Sequence, residues 1–501
     1  MVATFPTSPG TTLLSEKHVK YWLRSFRSVL PQDYTYIDAQ RMTLGSFILS
    51  ALDLLDILHH SPEPTAEASL RRVTDSERQD CIAWIYHCQH PHGGFRGFPA
   101  TMMGVEKTTA ENDHWDPATL PATWFALSSL IVLGDGLERV DRRGAWKWLK
   151  RLQNPDGSFG ELLGEDGRIE GGGDPRFAYF GAGLRWLLLG QDGQAMRTPD
   201  EDIDVQGLES FITSCMAFDG GIAESPHREA HAGLTYCGIG ALAFLDRLPP
   251  SSSSRSSSEG STEPFLAKFG STVNWLVSRQ VLISTGESYP YGEDESGDQV
   301  QSDPLEHQQQ RFSPAFDSMA PYSTNGTLPL PPLEVDFSTS LSPLLVQRQP
   351  HNPPLDIPIH LRPCPQTIPF DPEPPKTPPL PAVGFNGRPS KPADTCYSFW
   401  VSGSLQILGL SQLVSPELSR RYLLDHTQHS IVGGFGKVEG DVPDILHSYL
   451  GLATLAMYDA CQERDGLSPL DPVLCISKRA RKSLVESRWW RGDRQDGREE
   501  K

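Results

Sequence analysis

Gln89-His-Pro-His-Gly-Gly-Phe95, Gln153-Asn-Pro-Asp-Gly-Ser-Phe159 and Gln428-His-Ser-Ile-Val-Gly-Gly-Phe435 repeat one pattern along the chain: a glutamine, a short run, a glycine turn and an aromatic residue. Gly220-Gly221-Ile222 and Gly384-Phe385 carry the same ending. Glycine supplies the positive φ and close backbone approach that a tight turn needs, and the apolar residue packs the turn onto the next element. The closing residues stand at 95, 159, 222, 385 and 435, spaced by 64, 63, 163 and 50. Setting aside the 103 residues from Val281 to Val383 reduces the long interval to 60. Each interval then holds about two helices and their loops.

Between the turns, apolar residues recur at helical spacing, as in Trp22, Leu23, Phe26, Val29, Leu30 and again in Leu44, Phe47, Ile48, Ala51, Leu52, Leu55, Leu58. Strand alternation is scarce. The expected class is all-α: stacked helical hairpins, each burying its apolar face against its neighbours, as an open solenoid or a closed ring. The repeated glycines are structural in this reading.

The chain has 501 residues, 38% of them hydrophobic, with 11 Trp and 21 Phe, enough for a large core. Of its 43 prolines, 21 fall between Val281 and Val383, in runs such as Pro-Glu-Pro-Pro-Lys-Thr-Pro-Pro-Leu-Pro that continue neither helix nor sheet. This stretch is predicted to be a disordered insertion, and so is the serine run from Ser251. The expected organisation is residues 1–280 as the first part of the helical array, 281–383 as the insertion, 384–476 as the last part and 477–501 as a flexible, charged tail.

Eight cysteines without a Cys-x-x-Cys do not make a disulfide framework, and no signal peptide opens the sequence, so a cytoplasmic protein is expected. The longest apolar run, near Phe47 to Leu58, is interrupted by Ser50, Asp53 and Asp56 and is too short to span a bilayer. A net charge of −19 disfavours nucleic acid and anionic membranes and favours basic polypeptides as partners.

Asp394-Thr-Cys396, followed fifty-one residues after Cys396 by His447, offers one carboxylate, one thiolate and one imidazole. Three such ligands suit catalytic zinc, with a fourth position left for a substrate atom. Spacing alone is a weak signal, because strong zinc signatures need paired cysteines or His-x-x-x-His.

The flanking residues strengthen it. The segment from Asn386 to Trp400 resembles the zinc and diphosphate segment of protein prenyltransferase β subunits, and Asp444-Ile-Leu-His447-Ser-Tyr resembles the segment that gives their third ligand. The resemblance implies an α/α barrel in which Asp394, Cys396 and His447 hold Zn²⁺, so that Cys396 is a ligand and not the nucleophile. It further implies that His231, in Glu229-Ala-His231-Ala-Gly-Leu-Thr-Tyr-Cys237, contacts an isoprenoid diphosphate together with Arg388, Lys391 and Tyr397. Arg176, in Asp174-Pro-Arg176, matches an arginine beside the family's peptide site, although an arginine paired with the neighbouring aspartate is an equal reading of the residues. Trp400 joins Arg176 as a pocket residue. One departure stands at Pro117-Ala-Thr119-Leu-Pro-Ala-Thr-Trp124, where the family commonly has a histidine before its Thr-Tyr motif.

Two positions separate the kinds of β subunit. Thr43, in Arg41-Met-Thr43, resembles the small residue of the type I geranylgeranyltransferase, where the farnesyl enzyme has a tryptophan; the smaller side chain leaves room for a longer isoprenoid. Lys437 matches a lysine of the type I enzyme that stands where the farnesyl enzyme binds Mg²⁺, so Mg²⁺ is not expected to be required. The resemblance thus implies a heterodimer with a helical α subunit, geranylgeranyl diphosphate as donor, and Rho-family-type GTPases ending in Cys-a-a-Leu or Cys-a-a-Phe as acceptors. The alternatives are a farnesyltransferase or Rab-type β subunit, a terpene cyclase, for which no Asp-rich motif is evident, and a catalytically inactive scaffold whose Pro-rich loop recruits aromatic-groove domains.

Overall fold

Two kinds of helix alternate along the chain. The computed structural model describes residues 12–59, 72–99, 113–191, 202–248, 263–283 and 381–491. Helices α1 (Ser15–Arg27), α3 (Asp75–His87), α5 (Arg142–Arg151) and α7 (Val205–Ser214) bury only a few residues each, such as Trp22 in α1 and Trp146 and Leu149 in α5. Helices α2 (Arg41–Leu54), α4 (Leu120–Leu133), α6 (Pro175–Leu189) and α8 (Ala232–Phe244) are buried along most of their length. The alternation continues with α9 (Glu263–Val277), the buried α10 (Thr395–Ile407), α11 (Pro416–Arg421) and the fully buried α12 (Ile445–Met457). A helix that is apolar all round belongs inside, and one with a single apolar stripe belongs outside it.

The inner helices close a ring. α2 packs on α4, α4 on α6, α6 on α8, α8 on α10, α10 on α12, and α12 returns to α2. This is an α/α toroid, the closed form of the two the repeat allowed. Because one outer helix separates consecutive inner helices, the inner helices run parallel and bring their N-termini to one rim. Side chains of Thr119, Asp174, His231, Asp394 and Asp444 cap α4, α6, α8, α10 and α12 there, each accepting a backbone N–H of the first turn.

The glycine turns behave as the repeat predicts. Gln89 bridges Phe95, Gln153 bridges Phe159, Met216 bridges Ile222 and Gln428 bridges Phe435, and all five closing residues, Phe385 included, are buried. Gly433 shows why glycine is needed: its φ is +77°, and an added Cβ would lie 2.5 Å from the Lys17 carbonyl. His18 of α1 contacts this last turn, its Nδ1 accepting from Gly434 N–H at 3.3 Å and its Nε2 lying 3.1 Å from Gln428 Oε1, so the ends of the ring are latched together.

Two boundaries differ from the sequence reading. Strand β1 (Gln280–Ile283) pairs antiparallel with β2 (Ala382–Phe385), with Gln280 opposite Phe385 and Ile283 opposite Ala382. Val281 to Ile283, Ala382 and Val383 therefore belong to the toroid, and the insertion departs from inside the glycine turn that joins α9 to α10. The other residues read as insertion, 284–380, and the serine run from Ser251 lie outside the described residues. The stretch from Ser477, read as a loose tail, folds through Arg491 as α14 (Lys478–Glu486) and α15 (Arg488–Arg491), after the short α13 (Asp459–Asp465). Its charges conceal anchors: Ala480, Leu484, Trp489 and Trp490 are buried, Trp490 packs on Trp186 at 4.3 Å, and the Arg142 guanidinium lies 4.2 Å from the Trp489 ring. Ser477 and Arg479 both bond the buried Asp53 at the far end of α2. Residues 492–501 lie outside the described residues.

Candidate active site

Helix starts set the first chemistry. Asp394 caps α10, and its Oδ1 accepts the Cys396 N–H at 2.8 Å, which places carboxylate and thiol two residues apart at the start of the helix, on the rim. Across the α10–α12 contact, Asp444 caps α12 and accepts from the His447 backbone N–H at 2.9 Å and from its ring Nδ1 at 2.6 Å. With a proton held at Nδ1, Nε2 is the ring atom left to offer a lone pair to a cation. That atom is buried, makes no hydrogen bond and lies 3.3 Å from Asp394 Oδ1. One ligand atom from each of Asp394, Cys396 and His447 lies within 4.8 Å of the others, and all three residues are buried.

The electrostatics are those of a site built for a cation. Burial pushes the Asp394 carboxyl up, but the charge of the adjacent His447 brings it below its ordinary value. Burial opposes charge on His447 too, yet Asp444 and Asp394 hold its imidazole well above 6.5. Burial, reinforced by Asp394, pushes the Cys396 thiol up to about 12. An oxygen, a nitrogen and a sulfur donor, the nitrogen being the orphaned Nε2, fit zinc, whose charge would reverse the cost of the thiolate.

The diphosphate candidates gather beside it. His231 Nδ1 accepts from Gly233 N–H at 3.1 Å, leaving Nε2, 3.1 Å from the Tyr397 hydroxyl, to carry its proton. Burial, with the nearby Arg388, lowers the His231 pKa to about 4, so the ring is neutral. Ala232 N–H donates to the Gly387 carbonyl, joining the two loops, and Arg388 Nη1 meets Glu229 Oε2 at 3.1 Å. Lys391 lies exposed on the same loop as Arg388. The Lys437 carbonyl accepts the Thr395 N–H at 2.9 Å, and its half-buried ammonium adds to the depression of Asp394.

Inside the ring lies a cavity of ≈ 300 Å³, walled by Phe47, Phe125, Tyr179 and Phe180 and by the three predicted pocket residues Thr43, Arg176 and Trp400. Arg176 pairs with Asp174, Nη2 to Oδ2 at 2.7 Å, as one reading of the residues expects, and it also lines the cavity. Thr119, in the segment that lacks the family's histidine, caps α4 and also lines the wall. Sequence reasoning missed Asp444, although an N-cap aspartate three residues before a histidine was visible. It also missed Glu161, a cavity-wall carboxyl pushed up to about 7 by burial, which no local motif marks.

Comparison with known proteins agrees with the toroid fold. The family model described as "Prenyltransferase alpha-alpha toroid domain" matches residues 13–476. The type-1 geranylgeranyl transferase β subunit of Arabidopsis thaliana is 24% identical over 93% of this chain and 90% of its own. That of Dictyostelium discoideum is 23% identical over 94% and 97%. The farnesyltransferase β subunit of Pyricularia oryzae is 29% identical, but over 54% of this chain and 45% of its own. Among solved structures, Candida albicans protein geranylgeranyltransferase-I complexed with GGPP superposes with a TM-score of 0.61 at 24% identity, over 95% of this chain and 99% of that one. No helix among the described residues is long and apolar enough to cross a membrane.

Proposed function

The chain belongs to the prenyltransferase α/α-toroid family, and from that membership we propose that it is the catalytic β subunit of a zinc-dependent protein geranylgeranyltransferase of type I. It moves a 20-carbon isoprenoid from its diphosphate to the cysteine of a C-terminal Cys-a-a-Leu or Cys-a-a-Phe sequence, working as a heterodimer with a helical α subunit. Rho-type GTPases, basic before that cysteine, are the acceptors that suit an acidic chain. The observation that carries the reading is the buried Asp394, Cys396 and His447 triad, with His447 Nε2 orphaned, on the two helices, α10 and α12, whose Trp400 and Tyr449 line the apolar cavity.

A zinc ion held by that triad would supply the acidity that keeps an acceptor thiol deprotonated near neutral pH. His231, Arg388, Lys391 and Tyr397 receive the diphosphate at the N-termini of α8 and α10, where helix dipoles favour an anion. The carbon–oxygen bond to the diphosphate breaks with its electron pair on oxygen, the carbon–sulfur bond forms, and the thiol proton passes to solvent. Lys437 neutralises part of the growing charge in place of Mg²⁺. Aromatic cavity walls keep water from the isoprenoid, and Arg176 and Trp400 border the acceptor peptide.

A second reading, a farnesyltransferase β subunit, is favoured by the Pyricularia oryzae match. Metal analysis tests what the two share. Wild type should hold about one zinc per β chain; a Cys396→Ala, His447→Ala double variant should hold none, and retention of zinc would sink the proposal.

A further inference from the structure

Three tyrosines, each the fifth residue of a different inner helix, aim their hydroxyls at one short turn. Tyr179 of α6 donates to the Val473 carbonyl at 2.6 Å, Tyr236 of α8 to the Pro472 carbonyl at 2.7 Å, and Tyr449 of α12 to the Cys475 carbonyl. The turn joins strands β3 (Leu470–Asp471) and β4 (Ile476–Ser477). It is internally braced, because Asp471 Oδ1 accepts the N–H groups of Val473 at 3.0 Å and Leu474 at 2.9 Å. Leu474, Cys475 and Ile476 line the central cavity. The strand after the turn is tied to the C-terminal end of α2 through Ser477 and Asp53, on the side away from the N-terminal rim.

A backbone turn inside a helical ring has carbonyls that need donors, and an apolar cavity offers few. The tyrosines meet that need while keeping aromatic faces toward the cavity. The turn is thereby fixed at one depth by three separate helices.

We propose that the turn Pro472–Cys475 is the floor of the isoprenoid tunnel and sets the longest chain it accepts, with Tyr179, Tyr236 and Tyr449 as the positioning residues that hold it. The proposal rests on the prenyltransferase reading above and adds a determinant separate from Thr43, which lies in the first turn of α2. Leu474 is the side chain that meets the end of the isoprenoid. Trimming it deepens the tunnel, and enlarging it raises the floor.

The test uses the full-length chain co-purified with its α subunit, comparing kcat/KM for 15-, 20- and 25-carbon diphosphates with a fixed Cys-a-a-Leu peptide. Leu474→Ala should raise the 25-to-20-carbon ratio, and Leu474→Trp the 15-to-20-carbon ratio, each by roughly tenfold. Tyr236→Phe should blur both ratios, whereas a merely structural tyrosine would lower all three rates together. Hydrogen exchange on wild type covers variants that fail to fold: the amides of Val473, Leu474 and Cys475 should slow when the 20-carbon diphosphate binds. Normal transfer with unmoved ratios, or unaltered exchange at the turn, overturns the floor alone. Failure of wild type to transfer any donor overturns the prenyltransferase reading and the floor with it.

Discussion

The Asp444 carboxylate holds His447 twice, once through the backbone N–H that it caps and once through ring Nδ1 at 2.6 Å. One residue thus starts α12 and selects the tautomer that turns Nε2 toward Asp394 and Cys396. Asp444→Asn keeps a capping oxygen but loses the charge on Nδ1. It should weaken zinc binding by about 10- to 100-fold with the fold retained. Chelator competition on the purified protein measures this, and an unchanged affinity would show that His447 is oriented by packing alone.

Thr43 and Lys437 act on different terms, pocket volume and diphosphate charge. Thr43→Trp should move preference from the 20- to the 15-carbon donor by ten- to hundredfold, the equivalent of overpacking by roughly 1–3 kcal/mol. Lys437→Asp should lower activity in chelator-treated buffer and make it rise with added Mg²⁺. A wild-type enzyme that itself needs millimolar Mg²⁺ would contradict the role given to Lys437.

The antiparallel ladder that ends at Ile283 opposite Ala382 leaves and re-enters the toroid at one point. Replacing residues 284–380 by a short Gly-Ser linker while keeping both strands should leave turnover within a few-fold. Loss of the fold on that replacement would show that the segment contributes to the ring.

His18 latches the first helix to the last turn as a neutral imidazole whose pKa burial lowers from 6.5 to about 4. In the unfolded chain it binds a proton below about 6.5. The folded state therefore loses stability as pH falls from 6.5 toward 4, and its contribution is pH-independent above that window. Thermal melts from pH 7 to 4 should show a steeper decline for wild type than for His18→Gln. Equal slopes would mean that other groups dominate acid sensitivity.

How far the sequence could be read depends on how local each signal is. The glycine turns and the Asp394, Cys396 pair lie within a few residues of what they contact, so turn and helix start were both visible. The ending Gly384-Phe385 was recognisable because other turns repeat it, whereas its pairing with Gln280 across the insertion emerges only in the fold. The tail was misread for the opposite reason: the partners of Trp490 and Arg479 are Trp186 and Asp53, hundreds of residues away, and nothing local separates a buried tryptophan from an exposed one. The floor turn was invisible because it is defined by three tyrosines that only ring closure brings together.

The most direct measurement is a donor competition with the zinc-loaded heterodimer: equimolar 15- and 20-carbon diphosphates, one Cys-a-a-Leu peptide, no Mg²⁺, products resolved by mass. The structure-based assignment predicts thioether product carrying mainly the 20-carbon chain, abolished in Cys396→Ala. Product carrying mainly the 15-carbon chain, or appearing only with Mg²⁺, would contradict the type I assignment, and transfer undiminished in Cys396→Ala would contradict the metal-site account itself.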